Sequence, residues 1–313
     1  MKKIWTLIRK NLNLIILSVV LGVSFKASAF PIYAQNAYAN PREANGRIVC
    51  ANCHLAQKPT QIESPAAVLP NSVFEAVVKI PYDLNSKQVL GDGKKGGLNV
   101  GAVIILPEGF KLAPSKMVPA EIKAKNKGVY IAPYSAKADN ILVVGPIGGD
   151  KHQEIIFPVL SPDPATNSNV NFLKYPIYVG ANRGRGQVLP TGQKSNNNSI
   201  LTPVGGIVTN VQKTETESYV VSIKTTDGST QTVDVPKNYR LAISEGKTIK
   251  QDQPLTYDPN VGGFGQAETE IVLQNPSRIV GYMVLLICVT LCQLFLVLKK
   301  KQFEKVQAAE MNF

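Results

Sequence analysis

Val73-Phe74-Glu75-Ala76-Val77-Val78-Lys79-Ile80 is an unbroken run of β-branched and apolar residues interspersed with charged ones. Successive side chains of a strand point to opposite faces, so a run of this kind predicts a strand with a buried face. The same reading extends outward to Ala102 to Leu106, Val129 to Ala132, Ile141 to Val144, Glu154 to Leu160 and Tyr175 to Val179. Pro, Gly and Asn clusters separate these runs, as in a β-sandwich. Long helical periods are scarce in this region, and the expected fold class is mainly β.

Ser195-Asn196-Asn197-Asn198-Ser199 changes the composition abruptly and reads as a linker or surface loop. Beyond it, Gly205 to Val211, Tyr219 to Lys224 and Thr230 to Val235 predict strands, with Asp227-Gly228 as the hairpin between the last two. They form a small β module similar to the lipoyl-domain type around Glu245-Gly246-Lys247-Thr248-Ile249-Lys250. Such carriers present a modifiable Lys at a hairpin tip; Asp227-Gly228 occupies the tip here, which argues against carrier function.

The ends of the chain set its compartment. Lys2, Lys3, Arg9 and Lys10 precede a mostly apolar stretch from Leu14 to Phe25, and Ala27-Ser28-Ala29 offers a small-x-small cleavage site. Residues 1–29 therefore read as an export signal, with Phe30 as the mature start. Near the other end, Ile279 to Leu298 is a run of twenty residues without charge, flanked by Arg278 and by Lys299-Lys300-Lys301. At about 1.5 Å per residue such a run spans a hydrocarbon core of roughly 30 Å. The positive-inside rule keeps residues 299–313 on the cytoplasmic or stromal side, and residues 30–278 are exported. The expected exported part is elongated: a larger sandwich over 30–197 and 261–278, and the small module over 198–260.

Charge narrows the partners. Of the formal net charge of +12, five belong to the signal segment and two to the tail, which leaves +5 for the exported part. That balance with export argues against nucleic acid and allows a local patch for an acidic partner.

Two of the four cysteines lie in the membrane run, Cys288 and Cys292, and the other two in Cys50-Ala51-Asn52-Cys53-His54. Cys-x-x-Cys-His is the pattern of covalent c-type haem attachment: two thiols add to the porphyrin vinyl groups and the adjacent imidazole reaches the iron. Asn40-Pro41-Arg42-Glu43 reads as a helix start leading into it, since Asn caps, Pro suits the first position and Glu stands three residues on. In a helix Cys50, Cys53 and His54 share one face. A thioredoxin-like dithiol lacks its βαβ context. Zinc would draw on Cys50, Cys53, His54 and His152, but adjacent ligands fit one tetrahedral ion poorly. For a sixth iron ligand the residues alone put Met117 first, with His152 as the bis-His alternative. A haem enzyme such as a peroxidase would need an open iron position and a distal acid or base.

Phe30-Pro31-Ile32-Tyr33-Ala34-Gln35, the segment Tyr38 to Pro59 around the haem motif, Gly180-Ala181-Asn182-Arg183-Gly184-Arg185-Gly186-Gln187 and the single C-terminal membrane run together resemble the cytochrome f family across essentially the whole chain. The resemblance implies one haem c on Cys50 and Cys53, with His54 and the α-amine of Phe30 as axial ligands. Family members usually carry Tyr at that start; Phe lacks only the hydroxyl, and the ligand is the amine. A free α-amine has a pKa near roughly 8, so a metal displaces its proton at modest cost.

The resemblance also implies a thylakoid protein with its large part in the lumen. It would take electrons from a Rieske iron–sulfur protein, pass them to plastocyanin or a soluble c-type cytochrome, and sit beside cytochrome b and other subunits of a cytochrome bf complex. Lys87, Lys94 and Lys95 match the family's docking patch. Asn182 and Gln187, with Gln88 and Asn197 as weaker matches, correspond to amides lining a chain of buried waters. Gly91 to Gly96 also satisfies G-x-G-x-x-G, but without a βαβ unit it is a chance match.

Overall fold

The run from Val73 forms a strand in which Phe74, Ala76 and Val78 turn inward while the residues between them stay half-buried. It belongs to a computed structural model that describes residues 31–311. The expected signal segment and Phe30 lie outside the described residues. In chain order the strands are β1 (Gln61–Glu63), β2 (Ala67–Val68), β3 (Val73–Lys79), β4 (Gln88–Val89), β5 (Lys95–Gly96), β6 (Asn99–Ile105), β7 (Lys111–Leu112), β8 (Ile131–Ser135), β9 (Ala138–Gly148), β10 (Glu154–Leu160), β11 (Lys174–Arg183), β12 (Gly206–Lys213), β13 (Tyr219–Lys224), β14 (Thr230–Val235), β15 (Thr248–Ile249) and β16 (Gly263–Leu273). The helices are α1 (Ile32–Ala37), α2 (Ala120–Lys125) and α3 (Pro276–Glu310).

A four-stranded sheet, β1-β3-β10-β7, faces a six-stranded one, β2-β16-β11-β6-β9-β8. Between them pack Phe74, Val78, Ile155, Phe157 and Val159 from the first, and Val100, Ile104, Leu142, Val144, Ile177, Val179 and Ile271 from the second. Each fully buried side chain of this size stabilises the fold by about 1.5–3 kcal/mol. The residues between them in β6 and β9, Val103, Ile141 and Val143, point the other way and pack with Ile48, Tyr134 and Phe264. The middle strands of the larger sheet are thus covered on both faces, which explains their nearly continuous apolar sequence.

A third sheet, β14-β13-β12-β15, has its own core of Val208, Val221, Ile223, Val235, Ile249 and Leu255. Its β13–β14 hairpin turns through Asp227-Gly228, where Gly228 takes φ +83°. α3 begins at Pro276 behind Asn275, whose side chain accepts from the Ser277 N–H. It is apolar and long enough to cross a membrane, and no part of the described chain covers its apolar window.

Three local expectations change. Asn40 starts no helix: its side chain accepts from the Arg42 N–H in a turn, and Arg42 pairs with Ile48 across a tight loop closed by Gly46 at φ +89°. Asn, Pro and Glu at these spacings serve a turn as well as a cap. Ser195 to Ser199 is no surface linker, because Ser195 and Asn197 are buried and hydrogen-bonded. β16 was not expected as a strand, yet it pairs with β11 over ten positions, from Lys174↔Val272 to Arg183↔Gly263.

Candidate functional site

The outer face of the six-stranded sheet is where the motif sits. Val49–Asn52 form a 3-10 turn, and the N–H groups of Cys53 and His54 both donate to the Cys50 carbonyl (3.2 and 3.0 Å). One helical turn therefore carries both cysteines and the histidine, and Cys53 lies near enough to Cys50 to contribute to the raised pKa of its thiol. The turn is packed close to the sheet through glycine: a Cβ on Gly180 of β11 would come within 2.6 Å of Phe264 and 3.0 Å of Ile48. The Ile48 N–H donates to the side chain of Gln266 in β16 (3.1 Å). On the far side, the N–H groups of Gln187 and Val188 donate to the Cys53 carbonyl (2.8 and 3.2 Å), and the Leu55 N–H donates to Gln187 Oε1 (2.8 Å).

His54 is the chemical centre. Asn182 Nδ2 lies 3.2 Å from its Nε2, while its buried Nδ1 has no partner. Burial pulls its pKa down to about 4, so the ring is neutral near pH 7 and carries the lone pair a metal needs. An amide N–H donates, so the Asn182 contact makes Nε2 the acceptor and puts the ring proton on Nδ1; Nε2 carries the lone pair that an iron would take, and the Nδ1 N–H is a donor left for a second partner.

Burial pushes the Cys50 thiol up to about 11, and Cys53 is raised by the same cause. Both thiols are free and protonated. A redox dithiol needs a lowered pKa, so the thioredoxin reading loses its chemical basis. His152 makes a separate contact, its Nδ1 donating to the Gly148 carbonyl (2.8 Å). Among the described residues no three His, Cys, Asp or Glu gather into a metal-holding group. Met117 stands exposed in the turn before α2. Two thiols, a neutral imidazole and an apolar wall of Ile48, Val103, Ile141, Val143 and Phe264 fit a covalently held haem.

Tyr134 of β8, which sequence reasoning missed, is buried and ties α1 to this wall. Its hydroxyl donates to the carbonyls of Ala34 (2.6 Å) and Tyr38 (2.7 Å), and Gln35 Nε2 donates to the Tyr134 carbonyl (2.7 Å). Ala34, Cys50 and Ala51 pack on the same apolar cluster. Desolvation, helped by the nearby Cys50 and Tyr38, pushes the phenol up to about 12.

The remaining expected residues gather beside the turn after β11. Gln88 is buried; its Oε1 accepts from the Arg185 N–H (2.7 Å) and its Nε2 donates to Gly97 O (2.8 Å). Asn197 Nδ2 donates to Arg185 O (2.9 Å), and Asn197 Oδ1 and Gln187 Nε2 are buried without a protein partner. Gln88 also opens the β4–β5 hairpin, so Lys87, Lys94 and Lys95 stand exposed on a loop rooted at the amides. Lys94 pairs with Asp92 at 3.6 Å. Residues 91–94 form this hairpin turn, with Gly93 at φ +83°.

Family models described as apocytochrome F, N-terminal, and apocytochrome F, C-terminal, match residues 30–184 and 196–313. The chain is 60% identical over 303 residues to a cytochrome f of Porphyra purpurea, covering 97% of this chain and 95% of that one. Identity to a cytochrome f of Rhodomonas salina is 59% over 308 residues, 97% of each chain, and to one of Cyanophora paradoxa 61% over 285 residues, 91% of this chain and 89% of that one. With the motif turn and a match running the length of the molecule, the chain belongs to the cytochrome f family.

Proposed function

We propose that this chain is the membrane-anchored c-type cytochrome of a cytochrome bf complex and carries electrons from a Rieske iron–sulfur protein to plastocyanin or a soluble c-type cytochrome. The observation that carries the reading is the Cys50–His54 turn with its buried, neutral imidazole. Cys50 and Cys53 would hold one haem c, and His54 would ligate its iron. The α-amine of Phe30 would be the second axial ligand, available only after residues 1–29 are removed, because an internal residue offers an amide nitrogen. When bound, the haem supplies a one-electron ferric–ferrous couple; nothing is transformed at the site, so the chain is a carrier rather than an enzyme.

Tyr134 supports the amine assignment by fixing α1 against the cluster that includes Cys50. The unpartnered Gln187 Nε2 and Asn197 Oδ1, with Asn182 on the imidazole, suit a chain of buried waters, since each such water takes about two to four polar partners. Leu55 and Leu189, both exposed, flank the motif and offer a carrier an apolar contact face. In this reading the sandwich stands in the thylakoid lumen and Lys299 to Lys301 remain on the stromal or cytoplasmic side.

The visible and near-infrared spectra of the purified protein test the site. A sharp c-type α band on reduction, a low-spin ferric spectrum and no methionine–iron charge-transfer band are expected. A methionine band would move the sixth ligand to Met117, and absence of haem in protein made with a working attachment pathway would overturn the proposal. For the docking patch, Lys87→Glu with Lys94→Glu is expected to slow electron transfer to an acidic acceptor at low salt and to converge with the parent at high salt, where screening removes the steering. Equal rates at low salt would remove these lysines from the encounter.

A further inference from the structure

Three large apolar side chains converge where β16 hands over to α3. The Leu273 N–H donates to the Leu173 carbonyl (3.0 Å), and the Gln274 N–H donates to the Val68 carbonyl (2.8 Å). Leu173 and Leu69, the residue after Val68, therefore flank the last residues before the Asn275 cap. Leu173 is 55% exposed, Leu69 46% and Phe172 39%. They are held in place: the Tyr175 hydroxyl accepts from the Asn171 N–H (3.1 Å) and donates to its carbonyl (2.7 Å), clasping the tip. The Leu69 carbonyl accepts from the hydroxyls of Ser72 and Ser161, each at 2.6 Å.

We propose that Leu69, Phe172 and Leu173 form a foot that seats in the surface of the same membrane that α3 crosses. Chain length brings them there. The three steps from Leu273 to Pro276 reach at most about 11 Å, and the helical rise from Pro276 to Ile279 adds about 4.5 Å. Leu273 thus lies within roughly 15 Å of the first residue of the apolar run, and the tip stands about one strand spacing of 4.8 Å from Leu273, close enough to meet the headgroup region. Chemistry agrees: residues 167–173, Asn-Ser-Asn-Val-Asn-Phe-Leu, carry no charge, and the next residue, Lys174, is paired with Glu270. On the helix itself the Arg278 guanidinium donates to the Tyr282 hydroxyl (Nε 3.0 Å), a basic–aromatic pair of the kind that marks a membrane–water boundary. The foot would give the β structure a second attachment beside the single helix.

The test needs no haem chemistry, so its failure is separable from that of the proposed function. Trp5, the only tryptophan in the sequence, falls in the segment read as a removed export signal, so in the mature chain Phe172→Trp becomes a sole reporter. The mature chain, from Phe30 onward, is reconstituted alone in phosphatidylcholine–phosphatidylglycerol vesicles with plain or brominated acyl chains. Expected is emission at shorter wavelength than in Tyr130→Trp, whose site is 82% exposed in the loop before β8, and loss of most of it in brominated lipid. Emission at the aqueous wavelength and unquenched by bromine would overturn the foot. Equal quenching of the Tyr130→Trp reporter would overturn it too, as unspecific adsorption.

Discussion

At Tyr134 one hydroxyl proton serves two carbonyls, those of Ala34 and Tyr38, inside an apolar wall. Tyr134→Phe keeps the shape and removes the donor, which is expected to cost about 1–3 kcal/mol through the carbonyls left without it. The phenol is raised to about 12, so above about pH 10 the unfolded chain releases this proton while the folded one retains it. Stability therefore falls as pH rises from about 10 towards 12, and in the Phe variant that part of the slope is absent. Urea unfolding across the alkaline range measures both effects, and an unchanged slope would show that the phenol does not titrate in this way. The turn from Cys50 to His54 was legible because its residues are neighbours in sequence. Tyr134 and Gln266 were not, because their partners are remote: Ile48 and Gln266 stand 218 positions apart.

Elements were legible where burial follows a simple period. Glu154–Leu160, Tyr219–Lys224 and Thr230–Val235 have the bounds their sequences predict, each edged by residues that turn the chain. β16 hid because Gly263-Phe264-Gly265-Gln266 carries its function in what it lacks: a Cβ on Gly265 would collide with the Lys58 carbonyl, where the segment after the Cys50–His54 turn runs alongside. The segment from Asn40 was misread because a capping signature and a side-chain-bonded turn use the same residues, and the Arg42–Ile48 pairing decides between them from outside the pattern. Likewise Ser195 to Ser199 has a linker's composition, but its amides find buried partners that only the folded chain supplies.

For the whole molecule, a mainly β chain with a C-terminal apolar helix was readable from composition and run lengths alone, since a bilayer demands a length few soluble helices match. We read residues 198–260 as a separate domain, supported by the independent core around Leu255. Leu255→Ala is expected to lower stability by about 2–5 kcal/mol as a buried leucine truncation does, without moving the haem α band. A shifted band would tie the two cores together and contradict the separation.

β16 joins the two ends of the problem. At Phe264 its backbone bonds the strand to Ala56 and Lys58, just after the motif, and eleven residues along it the chain turns into α3. At about 3.3 Å per residue that strand is a stiff ruler of some 30–35 Å. With the proposed haem at one end and the proposed membrane span at the other, it would set a standoff height: the redox centre would be carried well clear of the bilayer, and a reaction partner would come to it through water instead of through lipid. Shortening or lengthening this one strand would change that height, with every ligand of the site left intact.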